Sequence, residues 1–363
     1  MNARIAIGKP RSRSRRDMKA IVIREYGPPE VLRYEDVAEP VPRSGEIRIK
    51  VHAATVNRVL DVNLRAGKEG TREVTLPLIP GVDGAGTIDA IGPQVTRWRP
   101  GDRVAAAGIM PLDICAEDGS GYYGPRGHMG IKRPGGFSEY VVVPAVAAVA
   151  LPDALDFHRA AVVLRHVPTA WNLLTHVAKL AFDETVLVMG AGGNLGTVGI
   201  QIAKNVIGAR VIAAAGSDQR VALGKKLGAD LGINYSTHSI YDEVMRFTDG
   251  KGVDVLYDNI ANPVVLPPAF LTLGMHGRLV TCGAHAGPHV AIDFSHLYRN
   301  RITIAGMPGY TPSDLPHCLA AAAQGKVVPQ IERILPLSQA ALAHRLVEAH
   351  EGQGKIVLDP TLD

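Results

Sequence analysis

The 363-residue chain has only three cysteines, two tryptophans and 5% aromatic residues, and no run of 18 or more apolar residues. Cys115, Cys282 and Cys318 are far apart and form no CxxC pair, which excludes a disulfide framework and a cysteine-rich zinc site. The apolar region "VVVPAVAAVALP" is broken by Pro144 and Pro152, so no membrane-spanning helix is expected. Charge of one sign is also scarce outside residues 1–17. There six Lys/Arg face one Asp, so that segment carries +5 against a formal +4 for the whole chain, and the rest of the chain is near −1. The near-neutral body offers no electrostatic footprint for nucleic acid. Residues 1–17 are expected to be a disordered basic tail outside the chemistry. A targeting segment, a nucleic-acid arm or an over-long start ahead of Met18 are the alternatives. No secretory pattern is seen, and a cytoplasmic setting is expected.

What the chain does have is glycine and proline, 39 and 25 residues, set between short apolar runs. From Met18 to about Leu151 these runs are β-prone ("KAIVI", "EIRIKVHAA", "AGTIDAIG", "DRVAAAG", "FSEYVVVP") and predict an irregular β-rich domain. After residue 155 strand-like and helix-like segments alternate: "ETVLVMG", "LGTVGIQIAKNVIG", "ARVIAAA", "DQRVALGKKLGA", and on to "RITIAGM". Six apolar, β-branched strands separated by helices predict an α/β fold, with a parallel six-stranded, doubly wound sheet covered on both faces. The segments beyond Met307 are expected to return to the first domain.

"MGAGGNLGTVG" (189–199) follows the first strand of the alternating half and opens its first helix. Glycines there let the backbone approach a pyrophosphate and let helix and strand pack closely, while free N–H groups face the phosphates. Gly190, Gly192, Gly193, Asn194, Leu195 and Gly196 are therefore candidate cofactor-binding residues. The next strand ends "AAAGSDQR", with no carboxylate at the position that would bond a ribose 2′-hydroxyl. Ser217 and Arg220 suit a 2′-phosphate, Tyr235 can add a hydroxyl, and NADP is favoured over NAD. Asp218 either opposes that phosphate or caps the helix that follows.

The succession "MKAIVI", "SGEIRIKV", "PGVDGAG", "GDRV", "GGFSEY", "TAW", "GGNLG", "LGAD", "INY", "GRLV" and "GK" resembles the medium-chain dehydrogenase/reductase superfamily over nearly the whole chain from Met18. Its quinone oxidoreductase and enoyl reductase-like branch is the most similar. The resemblance implies a GroES-like catalytic domain (18–158 and 308–363) around an inserted Rossmann NADP-binding domain (159–307). It also implies a homodimer joined edge to edge through "RITIAGM". Zinc-dependent members hold a catalytic metal at three positions, which fall here near Asn57, on Val82 (with Asp83 beside it) and, counted back from Thr169, on Arg165. Valine has no lone pair, an amide is a poor ligand and arginine is a fixed cation, so no catalytic zinc is expected. The lobe that carries the family's structural zinc retains only Cys115. Packing by Tyr122, Tyr123 and His128 is expected in its place.

Without a Lewis acid, alcohol oxidation loses its usual route to an alkoxide, whereas hydride addition to a polarised acceptor needs less help. The expected function is zinc-independent, NADPH-dependent reduction of a quinone or another α,β-unsaturated carbonyl, with Asn57, Arg165 and His166 as catalytic candidates. Arg165 would hold a substrate oxygen and His166 a proton; the alternatives are an Arg165 pair with Asp83 or Asp61 and a structural His166. By position, Thr169, Asn259, Gly283, Ala284 and Met307 join the cofactor-binding set, and Lys355 is expected near the cofactor phosphates. A ketone or aldehyde reductase and a non-catalytic NADPH-binding regulator remain the rival functions.

Overall fold

The computed structural model describes residues 17–68, 74–107, 128–307, 309–349 and 354–363. The tail 1–16 and the lobe residues Cys115, Tyr122 and Tyr123 lie outside the described residues. The chain forms two compact units, one running up to Arg165 and resuming over Ile331–Asp363, the other spanning His166–Gln330.

The first unit is β-rich. β1 (Asp17–Ile23) and β2 (Leu32–Ala38) form an antiparallel pair. β3 (Glu46–Thr55) alternates buried and partly exposed residues at its start and is continuously buried at its end, where the chain enters a wide helical turn (Arg58–Val62) and α1 (Asn63–Arg65). β4 (Asp83–Ile91), β5 (Arg103–Ala107), β6 (Tyr140–Pro144) and β7 (Ala148–Ala150) build antiparallel ladders around β3. The core below this sheet is aliphatic, with Ile47, Ile49, Val51, Ile88, Val104 and Val143 all buried. Gly86 permits the closest approach of β3 to β4, since a Cβ there would lie 1.9 Å from the Lys50 carbonyl oxygen.

α2 (Phe157–Trp171) carries Arg165 and His166, and the division between the units falls between these two residues. The second unit then alternates strictly: β8 (Thr185–Met189), α3 (Asn194–Gln201), β9 (Arg210–Ala215), α4 (Asp218–Lys226), β10 (Leu231–Asn234), α5 (Ile240–Phe247) and β11 (Val253–Tyr257). It continues with α6 (Leu266–Phe270), β12 (Leu273–Thr281), α7 (Phe294–Arg299), β13 (Thr303–Gly306) and α8 (Asp314–Ala323). The six strands lie in the order β10-β9-β8-β11-β12-β13, all parallel. Every residue of β8 is buried, as a strand covered by helices on both faces requires. The winding reverses between β8 and β11, which creates a crevice at their carboxyl ends.

The chain then re-enters the first unit through β14 (Ile331–Pro336), α9 (Ala340–Ala349) and β15 (Lys355–Asp359). β15 pairs with β14 in parallel and with the end of β3 in antiparallel fashion, giving a seven-stranded sheet. The units thus divide at 165/166 and 330/331. The segment after β13 stays with the second unit because Gln201 accepts from the Val328 N–H (2.7 Å), Asn205 donates to the Lys326 carbonyl (2.8 Å) and His176 meets Asp314 (2.9 Å). Among the described residues no helix is long and apolar enough to cross a membrane.

Candidate active site

In the second unit, the turn between β8 and α3 is set by two glycines. Gly190 has φ +68°, and a Cβ at Gly196 would sit 2.2 Å from the Gly190 carbonyl oxygen. Gly193 is the N-cap of α3 and has no side chain to satisfy the first helical turn. Gly193 and Asn194 are exposed, so the first-turn N–H groups face outward at the positive end of the helix, where an anion is stabilised.

At the end of β9, Ser217 is the N-cap of α4, and Arg220 projects from that helix's first turn. The Arg220 stem lies against the loop: a Cβ at Gly192 would come within 2.5 Å of Arg220 Cγ. The Tyr235 ring packs on Gly216, 3.0 Å from where a Cβ there would be, and its backbone N–H bonds the Ala215 carbonyl (3.0 Å). Burial raises the Tyr235 hydroxyl above its ordinary range, with Arg220 acting against that shift and Asp258 with it. Asp218 accepts from the Asn234 side-chain amide (2.8 Å) and sits in the first turn of α4, where a carboxylate complements the helix dipole.

Asp258 and Asn259 follow β11 and are both buried. Asp258 Oδ2 accepts the Ala261 N–H (2.8 Å), and among the described residues its second oxygen has no hydrogen-bond partner. Asn259 Oδ1 accepts from the Cys282 N–H (2.9 Å) and thiol (3.0 Å), leaving a buried Nδ2 close to the Tyr257 hydroxyl but outside hydrogen-bond geometry. Gly283 and Ala284 follow β12, with Gly283 close-packed on the Asn259 carbonyl. Met307 follows β13 and spends its N–H on the Thr281 carbonyl (3.0 Å), which leaves its own carbonyl as the group to present. A glycine cradle, a helix N-terminus, an Arg/Ser/Tyr cluster and two orphaned buried polar atoms thus ring one edge of the parallel sheet. This arrangement fits a dinucleotide. Thr169 is buried in α2, and His166 is half-buried one turn before it. Asp258 escaped the sequence reading; its signal is an acid placed directly after the buried run Val255–Leu256–Tyr257.

The first unit contains a buried polar cluster at the end of β3. Asp83 accepts from the Thr55 N–H (2.6 Å), the Thr55 hydroxyl and the Asn57 Nδ2 (3.3 Å). Asp61 accepts from the Asn57 N–H (2.7 Å) and the Gly81 N–H (3.2 Å). Lys355 opens β15 and donates to Asn57 Oδ1 (2.6 Å) and, more weakly, to the Val56 carbonyl (3.4 Å). Thr55, Asn57, Asp61, Asp83 and Lys355 are each at most 5% exposed. Burial, and then the charge of Asp83, push the Asp61 carboxyl up to about 7. Burial raises Asp83 as well, against the bonds from Thr55. Burial brings the Lys355 ammonium down to about 8; Asp83 opposes that shift, and the Arg165 charge adds to it.

Lys355, a sequence candidate for the cofactor phosphates, is buried in the first unit with its ammonium on Asn57, where the β15–β3 pairing carries it. Its charge reaches Asp83. Arg165 itself is half-buried on α2. The Asn57 amide nitrogen is taken up by Thr55 and Asp83, so of its side chain one Oδ1 lone pair is left to meet a substrate. His128 is buried, and its carbonyl accepts from the N–H groups of Ile131, Lys132 and Arg133 (2.8–3.2 Å), organising a tight turn.

The donor set does not fit zinc. Val82 is packed among Leu60, Leu64, Leu78 and Ile131, Asn57 is bound to an ammonium, and Arg165 carries a permanent charge. Among the described residues no three His, Cys, Asp or Glu side chains are grouped to hold a metal ion.

A β-rich unit with a buried polar cluster, joined to a doubly wound unit with a dinucleotide cradle, defines an oxidoreductase. Residues 43–153 match the family model for an alcohol dehydrogenase GroES-like domain, and residues 194–324 match that for a zinc-binding dehydrogenase. The chain is 30% identical over 349 residues to the quinone oxidoreductase of Sus scrofa, covering 94% of this chain and 97% of that one. It is also 30% identical to an NAD-dependent alcohol dehydrogenase of Sulfurisphaera tokodaii, over 94% of this chain and 100% of the relative. A crystal structure of an NAD-dependent alcohol dehydrogenase superposes with a TM-score of 0.87 at 35% identity, covering 94% of this chain and 99% of that chain. The chain belongs to the medium-chain dehydrogenase/reductase superfamily.

Proposed function

We propose that the protein is a zinc-independent, NADPH-dependent reductase of quinones or other α,β-unsaturated carbonyls. The observation that carries this reading is the fate of the metal positions, where Val82 is sealed in an apolar cluster and Asn57 is held by the Lys355 ammonium. Likeness to proteins named quinone oxidoreductase supports it.

When bound, the nicotinamide supplies a hydride to the electron-poor carbon of the acceptor. The α3 N-terminus and the Gly190–Gly196 turn hold the pyrophosphate, and Ser217, Arg220 and Tyr235 hold the 2′-phosphate. Asn259, Gly283, Ala284 and Met307 form the rim toward the nicotinamide carboxamide, with Thr169 contributing from α2. Arg165 holds the acceptor oxygen and stabilises the negative charge that develops there, His166 holds a proton for it, and Asn57 offers its remaining lone pair for orientation. The panel that tests this sets benzoquinones, enones and simple ketones against NADPH, before and after dialysis with a chelator. Quinones or enones should be turned over at least about tenfold faster than ketones by kcat/KM, undiminished by chelation. Activity lost with the chelator overturns the zinc-free reading. A preference for ketones supports the second reading, a ketone or alcohol dehydrogenase, which the NAD-dependent alcohol dehydrogenase relatives favour.

The same reading includes a homodimer joined through β13. This edge strand exposes Thr303, Ile304 and Gly306, with Phe294 and Tyr298 of α7 and Met275 of β12 also exposed. An unprotected edge beside apolar side chains is a template for pairing with a second copy. Ile304→Lys puts like charges on both copies of the joined edge, and light scattering should show the dimer mass falling to that of one chain. An unchanged mass removes this interface.

A further inference from the structure

The buried cluster of the first unit has the composition of a cation site. Asn57 Oδ1, the Val56 carbonyl and the carboxylates of Asp61 and Asp83 are all oxygen donors, brought together from the turn after β3 and from the start of β4. A cation is already in it: the Lys355 ammonium, held at 2.6 Å from Asn57. The charged groups that face this point are Asp61 from the turn after β3, Asp83 from β4 and Arg165 from α2. The start of β15 is pinned in place by the bond from the Val56 N–H to the Ile356 carbonyl (3.0 Å), so the ammonium is delivered by the sheet and does not depend on a flexible arm.

We propose that Lys355 is a tethered cation, filling a preformed oxygen-lined site where it offsets buried carboxylate charge and fixes the orientation of the Asn57 amide. The amide orientation follows from its partners. The ammonium can only donate and so claims Oδ1, which turns Nδ2 toward Thr55 and Asp83. A second cation beside the ammonium would be repelled. Truncating the side chain should leave its oxygen ligands and its two carboxylates in place around an empty volume. A small ammonium ion of the same chemistry then has a site to enter. Lys355 is therefore a positioning residue, and the claim stands independently of which acceptor the enzyme reduces.

The test uses the full chain carrying Lys355→Ala, with Lys355→Met as a variant that removes the charge but keeps the volume filled. Thermal unfolding is followed against methylammonium chloride, with tetramethylammonium chloride as the size control, at constant ionic strength. Methylammonium should raise the midpoint of Lys355→Ala by several degrees in a saturable manner. It should leave Lys355→Met and the unaltered protein unmoved, and tetramethylammonium should do nothing. Turnover of the alanine variant, expected to fall at least about tenfold, should recover over the same concentration range. Indifference of the alanine variant to methylammonium overturns the proposal, as does equal rescue by tetramethylammonium or of Lys355→Met. Where the alanine variant does not fold, the double variant Lys355→Met/Asp83→Asn decides. Removing a carboxylate together with the cation should raise the midpoint above that of Lys355→Met, and a midpoint equal or lower overturns the charge balance. The thermal readout needs no substrate, so it fails or succeeds separately from the reductase reading.

Discussion

Arg220→Ala is expected to raise the KM for NADPH by about ten- to a hundredfold and leave the KM for NADH within about twofold, the range that loss of one charge-assisted phosphate contact supports. The argument is geometric. Arg220 stands in the first turn of α4 with its stem on Gly192, against the turn between β8 and α3. Ser217 and Tyr235 flank it, and no carboxylate competes from the end of β9, because Asp218 is engaged by the Asn234 amide. Arg220 is exposed, and the discrimination between the two cofactors should narrow as ionic strength rises. Steady-state kinetics with both cofactors checks this. An equal change in the two KM values removes the 2′-phosphate role.

A second large effect concerns pH and stability in the first unit. His344 on α9 is completely buried, edge-on to Phe137 at 6.1 Å, and among the described residues neither ring nitrogen has a hydrogen-bond partner. Burial, and then the Arg65 charge, press its pKa down to about 3. The unfolded chain binds a proton at this residue below about pH 6.5 that the folded chain refuses. Its contribution is therefore intact above that pH and is lost at about 1.4 kcal/mol per pH unit as pH falls toward 3. Asp61 has the opposite sign. With its pKa raised to about 7, the folded chain keeps a proton that the unfolded chain releases above its ordinary value of 3.8, so stability declines as pH rises between the two.

From about pH 4 to 6.5 the two slopes oppose and largely cancel. His344→Leu should uncover the Asp61 slope, with stability falling by about 3 kcal/mol as pH rises across that window, and Asp61→Asn should uncover the reverse. His344→Leu should also be the more stable protein at pH 4, since it removes a buried ring without partners. Trp98 lies in the first unit and Trp171 in the second, so a Trp171→Phe background lets fluorescence-detected urea unfolding report on the first unit alone. Parallel profiles for the two variants would sink the argument.

Much of the second unit was legible along the chain because its signals are short-range. The apolar runs of β8 and β9, the glycine turn 190–196 and the "GSDQR" segment each encode their local conformation within a dozen residues. The doubly wound sheet follows from them. Val82 and Arg165 are likewise legible as residue types without any tertiary information. What the sequence by itself determined is therefore the fold class, the glycine turn after β8 and the residue types that stand at positions 57, 82 and 165.

Only the tertiary structure decided what surrounds those positions. Lys355 and Asn57 are 298 positions apart, and nothing near either one distinguishes a buried ammonium from a surface lysine. The return of β15 to β3 brings them together. Likewise His344 reads as one polar residue in an amphipathic helix, and its buried state depends on Phe137 and Arg65, each more than 200 residues upstream. Charge and proton affinity in this protein are set by desolvation and by neighbours distant in the chain, and both come into being only when the sheets close.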